Sequence, residues 1–184
     1  HGKKGPIVAE PFFANMPLVQ TYLHEFVKTL REYKPDIFIL GEAASADIDL
    51  AVDYTDPSKE MCDTVVTFRY FEDDKSKLDP KLPEFGQPLP IKIETFKDTM
   101  VTWQKRLQKI SYPTLYWNNH DMPRILTRFA AESEHKKAAA KMLATLMYLQ
   151  RGVPCIYYGE EIGMESAVLP KISDFEDRKA DEFF

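Results

Sequence analysis

An α/β fold with a mainly parallel sheet is the class this sequence predicts, on three observations. Segments with helical periodicity alternate with short apolar runs. Those runs show little polar alternation, as strands covered on both faces do. The connections between them are long enough for the crossovers that parallel strands need. The expected order is helix, strand, strand, helix, strand, helix, strand. Acidic clusters follow three of the runs, and that is where a barrel or an open parallel sheet places its site. Both architectures fit at this level, because four strands do not close an eight-stranded barrel.

Asn15-Met16-Pro17 reads as a helix start, with Asn as the cap and Pro in the first turn. Leu18, Val19, Tyr22, Leu23, Phe26, Val27 and Leu30 recur three and four apart and predict one buried face. Pro35 ends that helix. Asp36-Ile37-Phe38-Ile39-Leu40 is the first strand, with no polar alternation after Asp36. Residues 43–60 are acidic and less regular, a helix or loop carrying polar groups over the strand ends. Asp63-Thr64-Val65-Val66-Thr67-Phe68-Arg69-Tyr70 is the second strand. Residues 71–90, rich in charge and Pro, read as a loop excursion, with Glu72-Asp73-Asp74-Lys75 a solvated surface. Residues 95–110 form the second helix, with Phe96, Met100, Trp103 and Leu107 as its stripe. Pro113-Thr114-Leu115-Tyr116-Trp117 is the third strand. Residues 134–151 form the third helix, with Ala138, Met142, Thr145, Leu146 and Leu149 inward and Gly152 as its stop. Val153-Pro154-Cys155-Ile156-Tyr157-Tyr158 is the fourth strand.

The bulk numbers fit one soluble domain or a piece of a larger one. The chain has 184 residues, 44% hydrophobic and 29% charged, with a net charge of −5. No basic stripe is present, which argues against nucleic acid as a partner. No stretch reaches about 18 apolar residues, so no membrane partner is expected. No signal-peptide apolar region is visible near His1, and the expected location is cytoplasmic. The first residue is not Met and Phe183-Phe184 is an abrupt apolar end, so the chain is expected to be processed, tagged or cut from something longer. Cys62 and Cys155 have neither metal-ligand nor disulfide-framework spacing, and Cys155 is expected to be a buried thiol.

The chemistry concentrates at strand ends. Glu42 follows Ile39-Leu40-Gly41, and a carboxyl emerging there into a dry cleft would hold a proton near neutral pH. Asp121 is a second acid, and two carboxyls across a pocket are the minimum for glycoside hydrolysis. His120 can bond a sugar hydroxyl or steady Asp121, and Arg124 can orient an acid. Tyr116 and Trp117 would lie on opposite sides of their strand, so at most one faces a cleft. Each residue also has a plain structural role open to it: an ion-paired Glu, a satisfied His, core aromatics. Gly-x-Gly-x-x-Gly, a phosphate loop and His-Glu-x-x-His are all absent, so no cofactor and no metal are expected.

Four motifs, in order, resemble the α-amylase superfamily (glycoside hydrolase family 13), in its oligo-1,6-glucosidase and α-glucosidase branch. Phe13-Ala14-Asn15-Met16-Pro17 resembles the stretch before the family's fourth barrel helix. Leu40-Gly41-Glu42 is similar to the segment of its acid/base. Trp117-Asn118-Asn119-His120-Asp121-Met122-Pro123-Arg124 is similar to that of its transition-state Asp and substrate-binding His. Gly152-Val153-Pro154-Cys155-Ile156-Tyr157-Tyr158-Gly159-Glu160-Glu161-Ile162-Gly163-Met164 resembles its last barrel strand and following loop.

The resemblance implies a partial (β/α)8 TIM barrel, strands five to eight, with residues 1–184 as the C-terminal half of the catalytic barrel. The excursion at 71–90 would follow strand six. It implies a retaining α-glucosidase acting on isomalto- or malto-oligosaccharides. Glu42 and Asp121 would be catalytic, and His120, Asn119 and Arg124 would bind substrate. The family nucleophile lies in Asp-Gly-Phe-Arg-x-Asp, which does not occur in this sequence. The chain alone is therefore expected to be inactive, and to self-associate or pair with an N-terminal half. A transglycosylase or sugar isomerase on the same fold is the alternative within enzymes. A non-catalytic structural or interaction fragment is the alternative outside them.

Overall fold

The computed structural model describes residues 10–81, 89–168, 171 and 174. The two chain ends, and residues 82–88 of the excursion, lie outside the described residues. In chain order the elements are α1 (Glu10–Phe13), α2 (Val19–Tyr33), β1 (Leu40–Glu42), α3 (Ile48–Thr55) and β2 (Thr64–Val66). There follow α4 (Ile93–Leu107), β3 (Thr114–Leu115), α5 (Ile125–Ala130), α6 (Lys136–Tyr148) and β4 (Val153–Pro154). No described helix is long and apolar enough to cross a membrane.

The strands are shorter than the apolar runs suggest, but they run parallel. β1 pairs with β2 from Leu40 opposite Thr64 to Glu42 opposite Val66. β3 pairs with β4, Thr114 opposite Val153. β2 and β3 are joined by side chains that reach backbone carbonyls across the gap. Ser111 Oγ donates to Asp63 O, Thr64 Oγ1 to Tyr112 O, Thr114 Oγ1 to Val65 O and Tyr116 Oη to Thr67 O, at 2.5–2.9 Å. The bonded positions climb together along both segments, so β2 and β3 are also parallel. The result is a partial parallel barrel whose four C-terminal strand ends share one end.

Exposure separates the strands. Residues 113–118 around β3 are all buried, and so are Thr64, Val65 and Thr67 around β2. The expectation of strands covered on both faces holds there. It fails for the outer strands: Phe38, Leu40 and Glu42 are exposed while Ile37, Ile39 and Gly41 are partly covered, and residues 153–158 alternate in the same way. These two strands have a covered face and an open one, which a run of apolar residues cannot reveal.

The core lies between the central strands and α4. Phe96, Met100, Trp103 and Leu107 are buried as expected. Phe71, Phe96 and Trp117 stack at 5.2–6.0 Å between ring centres, with Trp103 edge-on to Tyr70 at 4.9 Å.

Two helices differ from expectation. In α2 only Val27 is buried, and Leu18, Val19, Tyr22 and Phe26 are exposed. Asn15 does not cap α2. It takes a left-handed φ of 53° and ties the segment to α3, accepting from Tyr54 Oη at 2.8 Å and donating to Ser45 Oγ at 3.1 Å. In α6 the expected inward set is exposed, Leu149 by 80%, and the buried residues are Leu143 and Met147. Both flanks of α6 are apolar, so the stripe is ambiguous by one position. The choice falls to tertiary contact: Trp117 Nε1 donates to Leu143 O at 2.7 Å and turns that face inward. α5 has no counterpart in the expected order, being too short for a periodic signal.

Gly152 does not act as a left-handed stop, since the described glycines with positive φ are Gly159 and Gly163. It lets β4 approach β3 instead: a Cβ there would lie 2.5 Å from Pro113 O. Residues 72–74 are more than a solvated surface. Arg128, largely buried, pairs with Asp73, and Asp74 N donates to Pro90 O at 2.7 Å, closing the neck of the excursion. Cys155 is partly buried and Cys62 buried, both as free thiols that burial pushes up.

Candidate active site

Glu42 is the last residue of β1. It borders a recess of about 610 Å³ together with Phe13, Asn15, Tyr22 and Ser45. The expected dry cleft is not formed around it: Glu42 is exposed, and its side chain has no hydrogen bond or ion pair to another described residue. The reason is its place on an outer strand paired on one edge. Its charge is felt by the buried Tyr116 phenol, which burial first, then Tyr70 and Glu42, push up.

The second cluster follows β3. Asn118 closes the buried run, and the chain then turns. Asn119 Oδ1 accepts from Asp121 N at 2.9 Å, a local side-chain turn that fixes the bend. His120 Nε2 lies 3.5 Å from Asp121 Oδ1, and the His120 side chain is 72% exposed. Arg124 leaves the loop just before α5. Its guanidinium lies over the rings of Tyr157 and Tyr158, at 4.6 and 4.5 Å from their centres, and donates to Tyr158 O. Its backbone N–H donates to Ser166 Oγ at 3.0 Å. Burial and the neighbouring Tyr158 push the Tyr157 phenol up, against the Arg124 charge.

The structure therefore keeps His120 and Asp121 in one loop with Arg124, and Arg124 is held against Tyr157 and Tyr158 after β4. Glu42 leaves the same end of the sheet from the other outer strand, with no bond to them among the described residues. Tyr116 and Trp117 both belong to the core, bonded through Tyr116 Oη to Thr67 O and through Trp117 Nε1 to Leu143 O. Neither faces a cleft. Among the described residues no three His, Cys, Asp or Glu side chains are grouped to hold a metal.

The sequence places Glu160 only in the acidic cluster after the fourth strand, on the expected rim of the site, and gives no separate role to Asn118 or Tyr148. Asn118, 2% exposed, donates from Nδ2 to Glu160 Oε2 at 3.1 Å and accepts at Oδ1 from Ile125 N at 2.8 Å. Tyr148 Oη donates to Glu160 Oε1 at 2.5 Å. Burial pushes the Glu160 carboxyl up, against the bond from Tyr148 and the nearby Arg124 charge. The available signal was an amide ending a fully apolar run, because a buried amide needs partners.

The comparisons with known proteins bear on this arrangement. The profile described as alpha amylase, catalytic domain, matches residues 3–183. The chain belongs to the α-amylase family. It falls in the oligo-1,6-glucosidase-like branch of this family: it is 35% identical over 169 residues to an oligo-1,6-glucosidase of Halalkalibacterium halodurans, covering 90% of this chain and 28% of that protein. It is 34% identical over 168 residues to a probable oligo-1,6-glucosidase of Bacillus subtilis, covering 91% and 29%. A solved structure of a family GH13_31 enzyme superposes with a TM-score of 0.80 at 44% identity, over 100% of this chain and 32% of that one. The trehalose-6-phosphate hydrolase of Bacillus licheniformis superposes at 0.77 with 29% identity, over 97% and 31%. The chain thus spans under a third of the length of these α-amylase-family relatives, and the parallel partial barrel is the fold expected of a piece of their catalytic domain.

Proposed function

We propose that the chain supplies working groups of a retaining α-glucosidase acting on short isomalto- or malto-oligosaccharides. Glu42 protonates the glycosidic oxygen as the bond to the anomeric carbon breaks, and later takes a proton from the attacking water. Asp121 steadies the positive charge that develops on the sugar. His120 and Asn119 hold hydroxyls of the glucosyl ring, and Arg124 holds the acid-bearing segment against Tyr157 and Tyr158. The nucleophile comes from a segment that is not among these residues. On this reading residues 1–184 are the C-terminal half of the catalytic barrel, strands five to eight, inactive alone. One observation carries it: Glu42 and the segment 119–124 leave the same end of a parallel sheet, in a chain similar to proteins named oligo-1,6-glucosidases.

The test is sugar release from isomaltose, maltose and trehalose 6-phosphate by the full-length protein beside its Glu42→Gln variant. A loss of about a hundredfold or more is expected in the variant. Unchanged turnover would overturn the role of Glu42, and rearranged disaccharides in place of glucose would point to transglycosylation. The 184-residue chain by itself should release nothing. β1 has one edge without a described partner strand, so this chain should pair with the rest of a barrel or with itself. A single monomeric species in sedimentation at all concentrations would contradict that.

A further inference from the structure

We infer that Glu160 is a positioning residue for the Asp121 segment, acting through the side-chain amide of Asn118; the inference rests on the reaction proposed above. Glu160 opens the turn Glu160–Ile162 that follows β4, and Gly159 before it has a left-handed φ of 84° that reverses the chain there. Its two oxygens are divided between two elements. Oε1 takes the hydroxyl of Tyr148 at the end of α6, and Oε2 takes Nδ2 of Asn118 at the end of the β3 run. Both oxygens are occupied by internal donors, so Glu160 is not presented to a substrate.

Asn118 transmits the constraint. Its amide has one orientation that serves both neighbours: NH2 toward the carboxylate and C=O toward the backbone N–H of Ile125. The Ile125 N–H is one of the unpaired donors at the start of α5, and Arg124 offers it no side-chain cap. Asn118 provides that cap from seven positions upstream. The loop 118–125 is therefore closed at its base by a single side chain, and His120, Asp121 and Arg124 all lie within it. The carboxylate of Glu160 decides which way that side chain faces.

An exchange of donor and acceptor tests this. Glu160→Gln leaves one carbonyl oxygen for two donors, the Tyr148 hydroxyl and the Asn118 NH2, so one of the two must turn. Asn118→Asp sets a carboxylate against that of Glu160. Made together, the two changes restore one donor facing one acceptor, and an oxygen still faces the Ile125 N–H. In the full-length protein, kcat should fall about tenfold to a hundredfold in Asn118→Asp and less in Glu160→Gln, with KM changed much less, and should largely recover in the pair. Hydrogen exchange at the Ile125 amide should speed up in the single variants and slow again in the pair. A pair no better than its worse single variant would overturn the inference. So would exchange that follows this pattern while kcat stays constant. A wild-type protein that hydrolyses no glucoside fails the reaction, and the positioning role falls with it. An active wild type with indifferent variants fails the positioning role alone.

Discussion

β1 and β4 are both outer strands, and both alternate exposed and covered residues, yet their C-terminal ends are built in opposite ways. The β4 end is laced to its neighbours: Glu160 to Tyr148 and Asn118, Arg124 to Tyr157 and Tyr158, Ser166 to Arg124. The β1 end presents Glu42 to solvent with no such bonds among the described residues. The two carboxylates at this end of the sheet divide accordingly. Glu160 is held by internal donors, as the positioning role inferred above requires, and Glu42 is left unbonded among the described residues, as the acid role proposed above requires. Half of the proposed site is thus set in place by this chain's own contacts. The orientation of Glu42 depends on whatever borders the open edge of β1.

The largest expected difference between the two sides lies in their glycines. A Cβ on Gly152 would meet Pro113 O at 2.5 Å and Leu115 Cγ at 2.6 Å, a backbone and a core side chain of β3. A Cβ on Gly41 would meet the Cys62 sulfur at 2.8 Å and Val65 Cγ1 at 3.3 Å, side-chain atoms only. Gly152→Ala should cost about 3 kcal/mol by overpacking, and Gly41→Ala about 1 kcal/mol. Urea unfolding of both variants checks this. Equal costs would mean that the β3–β4 contact is no tighter than the β1–β2 contact.

A smaller effect sharpens the contrast between the carboxylates. Burial raises the pKa of Glu160 in the folded chain, so folding favours its protonated form. Stability from this group is fully present below its unfolded value, about 4.3 for Glu, and is lost as pH rises through the folded value. Glu160→Gln removes that titration. The stability of wild type relative to the variant should therefore decline as pH rises above about 4.3, the unfolded value. Chemical unfolding at several pH values measures it, and a difference that stays flat with pH would mean that Glu160 is not desolvated.

Legibility followed the same division. The parallel α/β class, the stripe of α4 and the buried central strand at 113–117 could all be read from residues, because the central strand is covered on both faces and α4 sets its four large buried residues along one stripe. The faces of α2 and α6 could not. Tyr22 and Phe26 are as apolar as Val27, and Met142 and Leu146 as apolar as Leu143, so periodicity does not say which flank meets the core. The candidate site residues Glu42, His120, Asp121 and Arg124 stood out as polar groups at strand ends. The Asn118–Glu160–Tyr148 network did not, since its members are far apart in sequence and only the meeting of β3, β4 and α6 joins them.

The smallest predicted effect compares two tyrosines in the core between these ends. Tyr116 Oη donates to Thr67 O at 2.5 Å. Tyr70 is fully buried, and its hydroxyl, directed toward Thr114, is the buried side-chain polar atom left without a hydrogen bond among the described residues. Removing a bonded hydroxyl takes away the bond and strands its partner, whereas removing an unbonded one relieves a desolvation cost. Tyr116→Phe should thus destabilise by about 1 kcal/mol, and Tyr70→Phe should be neutral or stabilise by less than about 1 kcal/mol. Thermal unfolding of the two variants separates them. If Tyr70→Phe lowers the midpoint as far as Tyr116→Phe does, then Tyr70 bonds Thr114 in solution, and the link between β3 and the segment after β2 has one more member.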